Sequence, residues 1–280
     1  MDRKLAVTGL LFVLPSLAGV CIFVLLPFAD VALRSFQSAV SRDWVGFENY
    51  RAIFETPAFR LAAKNTLGFT LACIPLLVAV SLLIGVFLQR QKAYGGILKS
   101  IFLMPMAIPV ASVVLLWRCL FHENGLLNML LSPAGVQPAD YMNSGYAFWI
   151  LVVSYLWKNL GYDIVLFMAG ISGIPQTIYE AARVDGAGEW TCFWHITLPN
   201  LKPVLYTVTV LSLLNSFKVF RESYLVAGDY PHESMYLLQH LFNNWFREMD
   251  FDKLAAAAVL LVLVVFCLVS LLKRAWEYEE

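Results

Sequence analysis

The sequence predicts an all-α membrane protein with six transmembrane helices, and two observations carry that prediction. Sixty per cent of the residues are hydrophobic and only 14% are charged, with a mean hydropathy of +0.69. A water-soluble domain of 280 residues has no interior large enough to hide so much apolar surface. The apolar residues also fall into long runs, each of a length to cross a hydrocarbon core of about 30 Å as a helix. The formal net charge is zero, which gives no electrostatic case for a nucleic-acid partner.

In chain order, Asp2, Arg3 and Lys4 precede an apolar run over 5–28. That run is too long for a signal-peptide core, and no small-x-small cleavage pattern follows it, so it is the first span. Asp30 to Lys64 is polar, with Phe47, Tyr50 and Phe54 at i, i+3 and i+7, the pattern of an amphipathic helix on a membrane surface. The second span covers 65–88, with Pro75 as a kink. The third covers 97–117, and Pro105 and Pro109 interrupt its hydrogen-bond ladder near the middle. The fourth covers 146–171 and the fifth 201–220. The sixth, 254–272, has nineteen residues of which only Ser270 is polar, and Lys273 and Arg274 close it. The chain shows no internal repeat or low-complexity linker and reads as one transmembrane domain, 1–280.

Loop charge gives an orientation with one discord. Arg90, Lys92 and Lys99 crowd a loop without acids, whereas His122 to Gly145 has no Lys or Arg, as expected for inner and outer loops. The segment 29–64 nevertheless carries Arg34, Arg42, Arg51, Arg60 and Lys64 on the side assigned to the outside.

Several chemistries lack their residues. There is no GxxxxGK[ST] phosphate loop, no HExxH and no GxSxG. His122, His195, His232 and His240 do not pair at metal spacing, and His195 reads as an interfacial or loop residue. Cys21, Cys73, Cys119, Cys192 and Cys267 form no CxxC and read as small buried hydrophobes. No catalytic residue, metal or cofactor is expected.

Polar residues at membrane depth are costly and often functional. The fourth span holds Lys158, Asn159 and Asp163; the last two are four apart and share a face, with Lys158 turned elsewhere. The fifth holds Asn215 and Lys218, with Arg221 and Glu222 a turn further on. Asn159, Asp163, Asn215 and Lys218 are the candidate substrate-pathway residues, and Trp157 and Phe217 beside them suit the apolar faces of sugar rings. The structural alternative pairs Lys158 with a carboxylate and lets Lys218 and Arg221 reach to the outer interface along their aliphatic stems.

The rest of the chain is organised around a polar stretch between the fourth and fifth spans, 174–203, IPQTIYEAARVDGAGEWTCFWHITLPNLKP. Pro175 stands where a helix begins, Ala181 and Ala182 leave room for a close neighbour, and Gly186 ends the helix in a left-handed conformation. A second short helix is expected from Glu189 to His195. Glu180-Ala181-Ala182, Asp185-Gly186-Ala187, then Phe193, Ile196, Leu198 and Pro199 resemble the EAA loop of binding-protein-dependent ABC importer permeases. WVGFENYRAIF, Asn65-Thr66, LKSIFLMPMAIPVASVVLLW and WKNLGYDIVLFMAGISGIPQTIYEAARVDGA are similar to carbohydrate-type members, over nearly the whole chain. Where the family often has a GGP-type turn after the fifth span, this chain reads AGDYPHES.

The resemblance implies a type I ABC importer permease-like bundle in the cytoplasmic membrane, multi-pass, with both termini and the 174–203 loop cytoplasmic. It gives Glu180, Ala181, Ala182, Asp185, Gly186 and Ala187 the coupling to a separate ATPase. It implies a second homologous permease as heterodimer partner, two ATP-binding subunits, an extracytoplasmic solute-binding protein, surrounding membrane lipid, and a sugar or related polyhydroxylated solute moved by alternating access. The alternative is a secondary transporter or channel with self-contained gating, which explains polar groups at depth but not the EAA-like loop, and no inverted repeat is visible.

Overall fold

A computed structural model describes residues 3–90 and 95–277; Asp2 and Lys92 lie outside the described residues. The chain is helical, and its described strand-like pairing is an isolated bridge between Gln37 and Trp44. Among the described residues, six helical segments have the length and composition to cross a membrane: Leu11–Arg34, Pro57–Gln89, Val110–Ala134, Ala147–Ser172, Lys202–Ala227 and Phe251–Ala275. The described residues form two compact units, 3–60 with 242–267, and 61–90 and 95–241 with 268–277.

In the first unit, α1 (Arg3–Val20) runs through a π-helical turn, Cys21–Leu25, into α2 (Leu26–Arg34). The widened turn has a local cause. Pro27 has no N–H and its ring would meet a carbonyl one α-turn back, so the preceding backbone opens to i→i+5 bonding, with Leu26 N–H donating to Cys21 O. The connection that follows is held by Asn49, whose Nδ2 donates to the carbonyls of Ser35 and Gln37 at 3.0 and 2.9 Å. The amphipathic helix is present as α3 (Glu48–Glu55), but it buries Asn49 and Ile53. The aromatic row that the periodicity picked out is mostly its open face: Phe47 is 74% and Phe54 54% exposed. Pro57 opens α4 (Pro57–Arg90), so the second span is helical from eight residues before Asn65 and passes Pro75 without interruption.

In the second unit the third span differs from expectation. It divides into α5 (Gly95–Ala107) and α6 (Val110–Phe121). Pro105 is absorbed within α5, whereas Pro109 takes an extended conformation (φ −57°, ψ 141°) and separates the two helices. The segment of spanning length therefore begins at Val110 and continues through α7 (Leu126–Leu131). The centre of the unit is α8 (Ala147–Ser172), which buries Leu151, Val152 and Tyr155 against Phe69, Cys73 and Leu77 of α4. The 174–203 stretch supplies α9 (Gln176–Val184), α10 (Glu189–Cys192) and α11 (Leu198–Asn200). The fifth span is α12 (Lys202–Ser216), a 3₁₀ turn over Phe217–Val219, and α13 (Phe220–Ala227). The chain then returns to the first unit, which holds most of α14 (Leu238–Arg247) and of α15 (Phe251–Glu277).

Without a hydrophobic drive between helices in lipid, association depends on close contact and hydrogen bonds. Gly161 of α8 allows the closest crossing: a Cβ there would lie 1.9 Å from the carbonyl oxygen of Phe102 in α5. On the next turns Gly170 accepts Val204 and Leu201 in the same way. Asn65 and Thr66 tie down the segment before α14, with Asn65 Nδ2 donating to Glu233 O and Tyr236 O, and Leu238 N–H donating to Thr66 Oγ1. His240 is fully buried there, edge-on to Phe220 at 4.8 Å; burial pushes its pKa down to about 4, although Asp229 opposes the shift, so the imidazole is neutral.

Gly161→Ala is expected to lower the thermal midpoint of the purified protein by several degrees, consistent with overpacking costs of about 1–3 kcal/mol. Gly68→Ala, where a Cβ meets nothing within 4 Å, is the control and should leave the midpoint unchanged. Equal midpoints for both variants would rule out the close crossing.

Candidate functional site

Two regions of the second unit hold the residues singled out by the sequence. The first is the elbow between the fourth and fifth spans. Pro175 caps α9, and its lack of an N–H costs nothing there. At the other end Gly186 has φ +85°. Its N–H donates to Arg183 O at 3.1 Å and Ala187 N–H donates to Ala182 O at 2.8 Å, the paired bonds of a Schellman motif. The two arms are joined by Tyr179 Oη and Thr197 Oγ1 at 2.9 Å, and by Arg183 Nη2 donating to Glu189 Oε1 at 3.0 Å. The second arm does not end at His195. It passes through a π turn, Phe193–Thr197, into α11, and Pro199 follows that turn as Pro27 follows the first.

Glu180, Ala181, Asp185 and Gly186 are exposed, whereas Ala182 and Ala187 are half-buried. Around them the elbow presents Val184, 88% exposed, and Trp190, 70% exposed. His195 is an exposed member of the π turn, its Nδ1 3.1 Å from Thr191 O. The cysteines match their expected role only in part: Cys73 and Cys192 are buried, while Cys21, Cys119 and Cys267 sit on exposed faces of helices.

The second region is a cavity of about 160 Å³ between the fourth and fifth spans. Tyr155, Lys158 and Asn159 line it from α8, and Asn215, Lys218, Arg221 and Glu222 from the fifth span, with Met106 and Val110 from either side of the Pro109 break. Lys158 Nζ lies 2.7 Å from Glu222 Oε1, with side-chain exposures of 17% and 7%. Lys158 therefore does not turn away from Asn159 as its position on the helix suggested; it pairs with a carboxylate, as the structural alternative had it. Lys218 Nζ donates to Asn215 Oδ1 at 2.7 Å, and Asn159 Nδ2 donates to Tyr155 O at 2.8 Å.

Asp163 does not line this cavity. It is 1% exposed and accepts the Ser212 hydroxyl at 2.9 Å, while Tyr155 donates to Ser212 O at 2.6 Å. Three of the four pathway candidates, Asn159, Asn215 and Lys218, thus meet at one cavity, and the fourth stands behind it. Glu222 and Arg221, which the sequence places a turn beyond Lys218 but outside the pathway candidates, line the same cavity. The signal for Glu222 was its place seven residues after Asn215, on the row that also contains Lys218.

The family comparison bears on both regions. The family described as "Binding-protein-dependent transport system inner membrane component" matches residues 78–276, a range that contains the elbow and the cavity. The chain belongs to this family. Over 271 residues the permease is 31% identical to the arabinooligosaccharides transport system permease protein of Bacillus subtilis, covering 93% of this chain and 86% of that one. Over 263 residues it is 30% identical to the trehalose/maltose transport system permease protein of Thermococcus litoralis, covering 92% and 89%. Its fold matches a crystal structure of a bacterial ABC transporter involved in import of the acidic polysaccharide alginate, with TM-score 0.83 and 22% identity over 99% of this chain and 96% of that one. The permease is thus a multi-pass membrane component of a transport system that uses a binding protein, and not a channel or secondary transporter with self-contained gating.

In the permease the Lys158–Glu222 pair is mostly withdrawn from solvent, so loss of one partner leaves a buried charge. Lys158→Met alone is expected to destabilise the purified protein by roughly 3–5 kcal/mol, and the double variant Lys158→Met/Glu222→Met to recover most of that loss. Denaturation midpoints of the two variants check this; a double variant no better than the single one would show that the charges do not act as a pair.

Proposed function

We propose that the chain, as one membrane domain over 1–280, is the permease subunit of an ATP-driven importer for a saccharide or related polyhydroxylated solute. It lies in the cytoplasmic membrane with both termini inside. A second, homologous permease completes the translocation path, two ATP-binding subunits engage the elbows, and an extracytoplasmic solute-binding protein delivers the solute. The saccharide names of the two curated relatives support the substrate class.

The observation that carries the mechanism is covalent adjacency. The elbow joins α8 directly to α12, the first part of the fifth span, and α8 and the fifth span supply most of the side chains that line the cavity. Closure of the ATPase pair moves an elbow, the elbow moves both helices, and the cavity opens to the other side. For this the elbow must be stiff. The Schellman cap and the two cross-arm contacts make it so, and Glu180, Asp185, Val184 and Trp190 are left on its surface for docking. Within the cavity, Asn159, Asn215 and Lys218 bind the solute. Asp163 acts through Ser212 as a strut that fixes the spacing of the fourth and fifth spans.

Gly186→Val forces a β-branched residue into positive φ, against a steric cost of roughly 1–2 kcal/mol that loosens the cap. Membrane insertion should be normal and uptake into cells should fall at least tenfold. Glu180→Lys should reduce co-purification of the ATP-binding subunit by reversing a charge at the dock. Normal uptake in both variants would remove the elbow from the mechanism.

Orientation has its own test. Cys192 sits on the elbow but is 3% exposed, so its thiol would resist reagents on either side of the membrane. Val184→Cys, in a chain whose native cysteines are replaced by Ser, should be protected from a membrane-impermeant thiol reagent in intact cells and react once the membrane is opened. Labelling in intact cells would invert the topology.

A further inference from the structure

A cavity of about 680 Å³ lies wholly within the first unit, between the end of the first span and the start of the sixth. That volume is within the range of small-molecule sites, about 300–1,000 Å³. Its depth follows from the helices that form it: the spanning segment Leu11–Arg34 ends at its wall, and Phe251–Ala275 begins there. The cavity therefore lies where the hydrocarbon core meets the headgroup layer. Its apolar lining is Val31 of α2 with Leu254, Ala255 and Ala258 of α15. Its charged lining is Asp30 and Arg34 of α2, Arg42 of the turn that follows, and Asp252 at the start of α15. Along α15 the lining thus passes from a carboxylate at the end of the span to small apolar groups within it.

The basic residues of 29–64, discordant with the loop-charge rule, bear on this cavity. Arg34 pairs with Asp30 at 2.6 Å and Arg51 with Glu55 at 2.9 Å. Arg60 donates to Glu55 O. Arg42 makes no ion pair or side-chain hydrogen bond among the described residues. Asp252 accepts the Ala39 N–H through Oδ1 and has no cation partner among the described residues. One cation and one carboxylate, on separate elements, thus border the same cavity without answering each other. Arg42 also has φ +60°, a left-handed conformation that residues other than Gly, Asn and Asp seldom adopt. Its turn is closed by Arg42 N–H donating to Ser38 O and Ser38 N–H donating to Asp43 O, both at 2.9 Å. A glycine would close that turn with less strain, so what the arginine supplies is its guanidinium on the cavity.

We infer that this cavity holds one zwitterionic aminophospholipid, with its phosphate on Arg42, its ammonium on Asp252 and an acyl chain along Val31, Leu254 and Ala258. The exposure of Arg42 suits a headgroup site, which opens to water on one side. Both polar contacts are charge-assisted hydrogen bonds, and guanidinium matches phosphate geometrically. A primary ammonium is specified over a quaternary one, because only the primary one has N–H groups to donate to a carboxylate. An anionic lipid with a glycerol headgroup would answer Arg42 and leave Asp252 without a countercharge. The bound lipid has a structural task. None of the apolar window of the first span is buried in the chain, so a lipid shared by α2 and α15 adds a tie between the first and sixth spans beside the Ala39–Asp252 bond.

The test uses the purified permease complex, stripped of lipid in detergent and titrated with dioleoyl phosphatidylethanolamine, phosphatidylcholine or phosphatidylglycerol. Bound lipid is counted by native mass spectrometry. One phosphatidylethanolamine per copy of this chain is expected, held at least tenfold more tightly than either of the other lipids. Arg42→Asn removes the charge and keeps a residue suited to positive φ; Asp252→Asn removes the charge and keeps an acceptor for Ala39. Each should weaken phosphatidylethanolamine binding at least tenfold and erase its advantage, with Arg42→Lys retaining most of it. If Asp252→Asn alters the helical circular dichroism, the comparison of Arg42→Asn with Arg42→Lys decides. Equal retention of the three lipids, or phosphatidylethanolamine retention unchanged in both Asn variants, would overturn the inference and leave only non-specific boundary lipid. Retention of no lipid by the unaltered complex would overturn it as well; loss of the partner permease from Arg42→Asn would then assign the cavity to a protein neighbour.

Discussion

The arrangement depends on one polar seam between the fourth and fifth spans. Tyr155 and Asp163 both meet Ser212, one through its carbonyl and one through its hydroxyl, and Lys158 meets Glu222 one to two turns away. In water such contacts would add little beyond what solvent already offers. In lipid the alternative partners are absent, so contributions of roughly 0.6 kcal/mol each, adding along a seam, set which faces of two apolar helices meet. The same seam keeps a cavity open. Groups that bind one another across the helices hold them at hydrogen-bond distance and prevent the tighter packing that two rows of leucine would allow.

Proline and glycine decide the other crossings and corners, each for a separate reason. Pro27 and Pro199 each follow a π-helical turn, because the backbone before them must widen to avoid the ring. Pro75 and Pro105 stay within helices, whereas Pro109 ends one and starts the next. Gly161 has no side chain because the carbonyl of Phe102 occupies that place. Gly186 needs no such room, since nothing lies within 4 Å of a Cβ built on it; what it supplies is positive φ.

Much of this was legible in the sequence. Hydropathy over some twenty residues is a local property, so the spans appear in it directly, and so do the start of α9 at Pro175 and its stop at Gly186. Boundaries were less secure. The second span began at Pro57 because polar residues ahead of Asn65 are also good helix formers, and the third broke at Pro109 alone because Pro105 found room within α5. The periodicity of α3 marks its aromatic row but not the face that packs on the protein; that face carries Asn49 and Ile53, since the adjoining connection offers Asn49 two carbonyls.

The sequence by itself determined the class of protein, the number of membrane crossings, the family and the elbow, because each is written in composition or in residues close together along the chain. It also named the polar residues at depth. Which of them share a cavity was decided only by tertiary structure. Asn159 and Asp163 lie on one helical face, yet Asn159 borders the cavity while Asp163 is taken by Ser212, forty-nine residues away. Lys158 and Glu222 are sixty-four apart. Pairing over such distances depends on how two helices rotate against each other, and that rotation is fixed by Gly170 against Val204 and by the Tyr155, Asp163 and Lys158 contacts of the seam together rather than by any one local pattern.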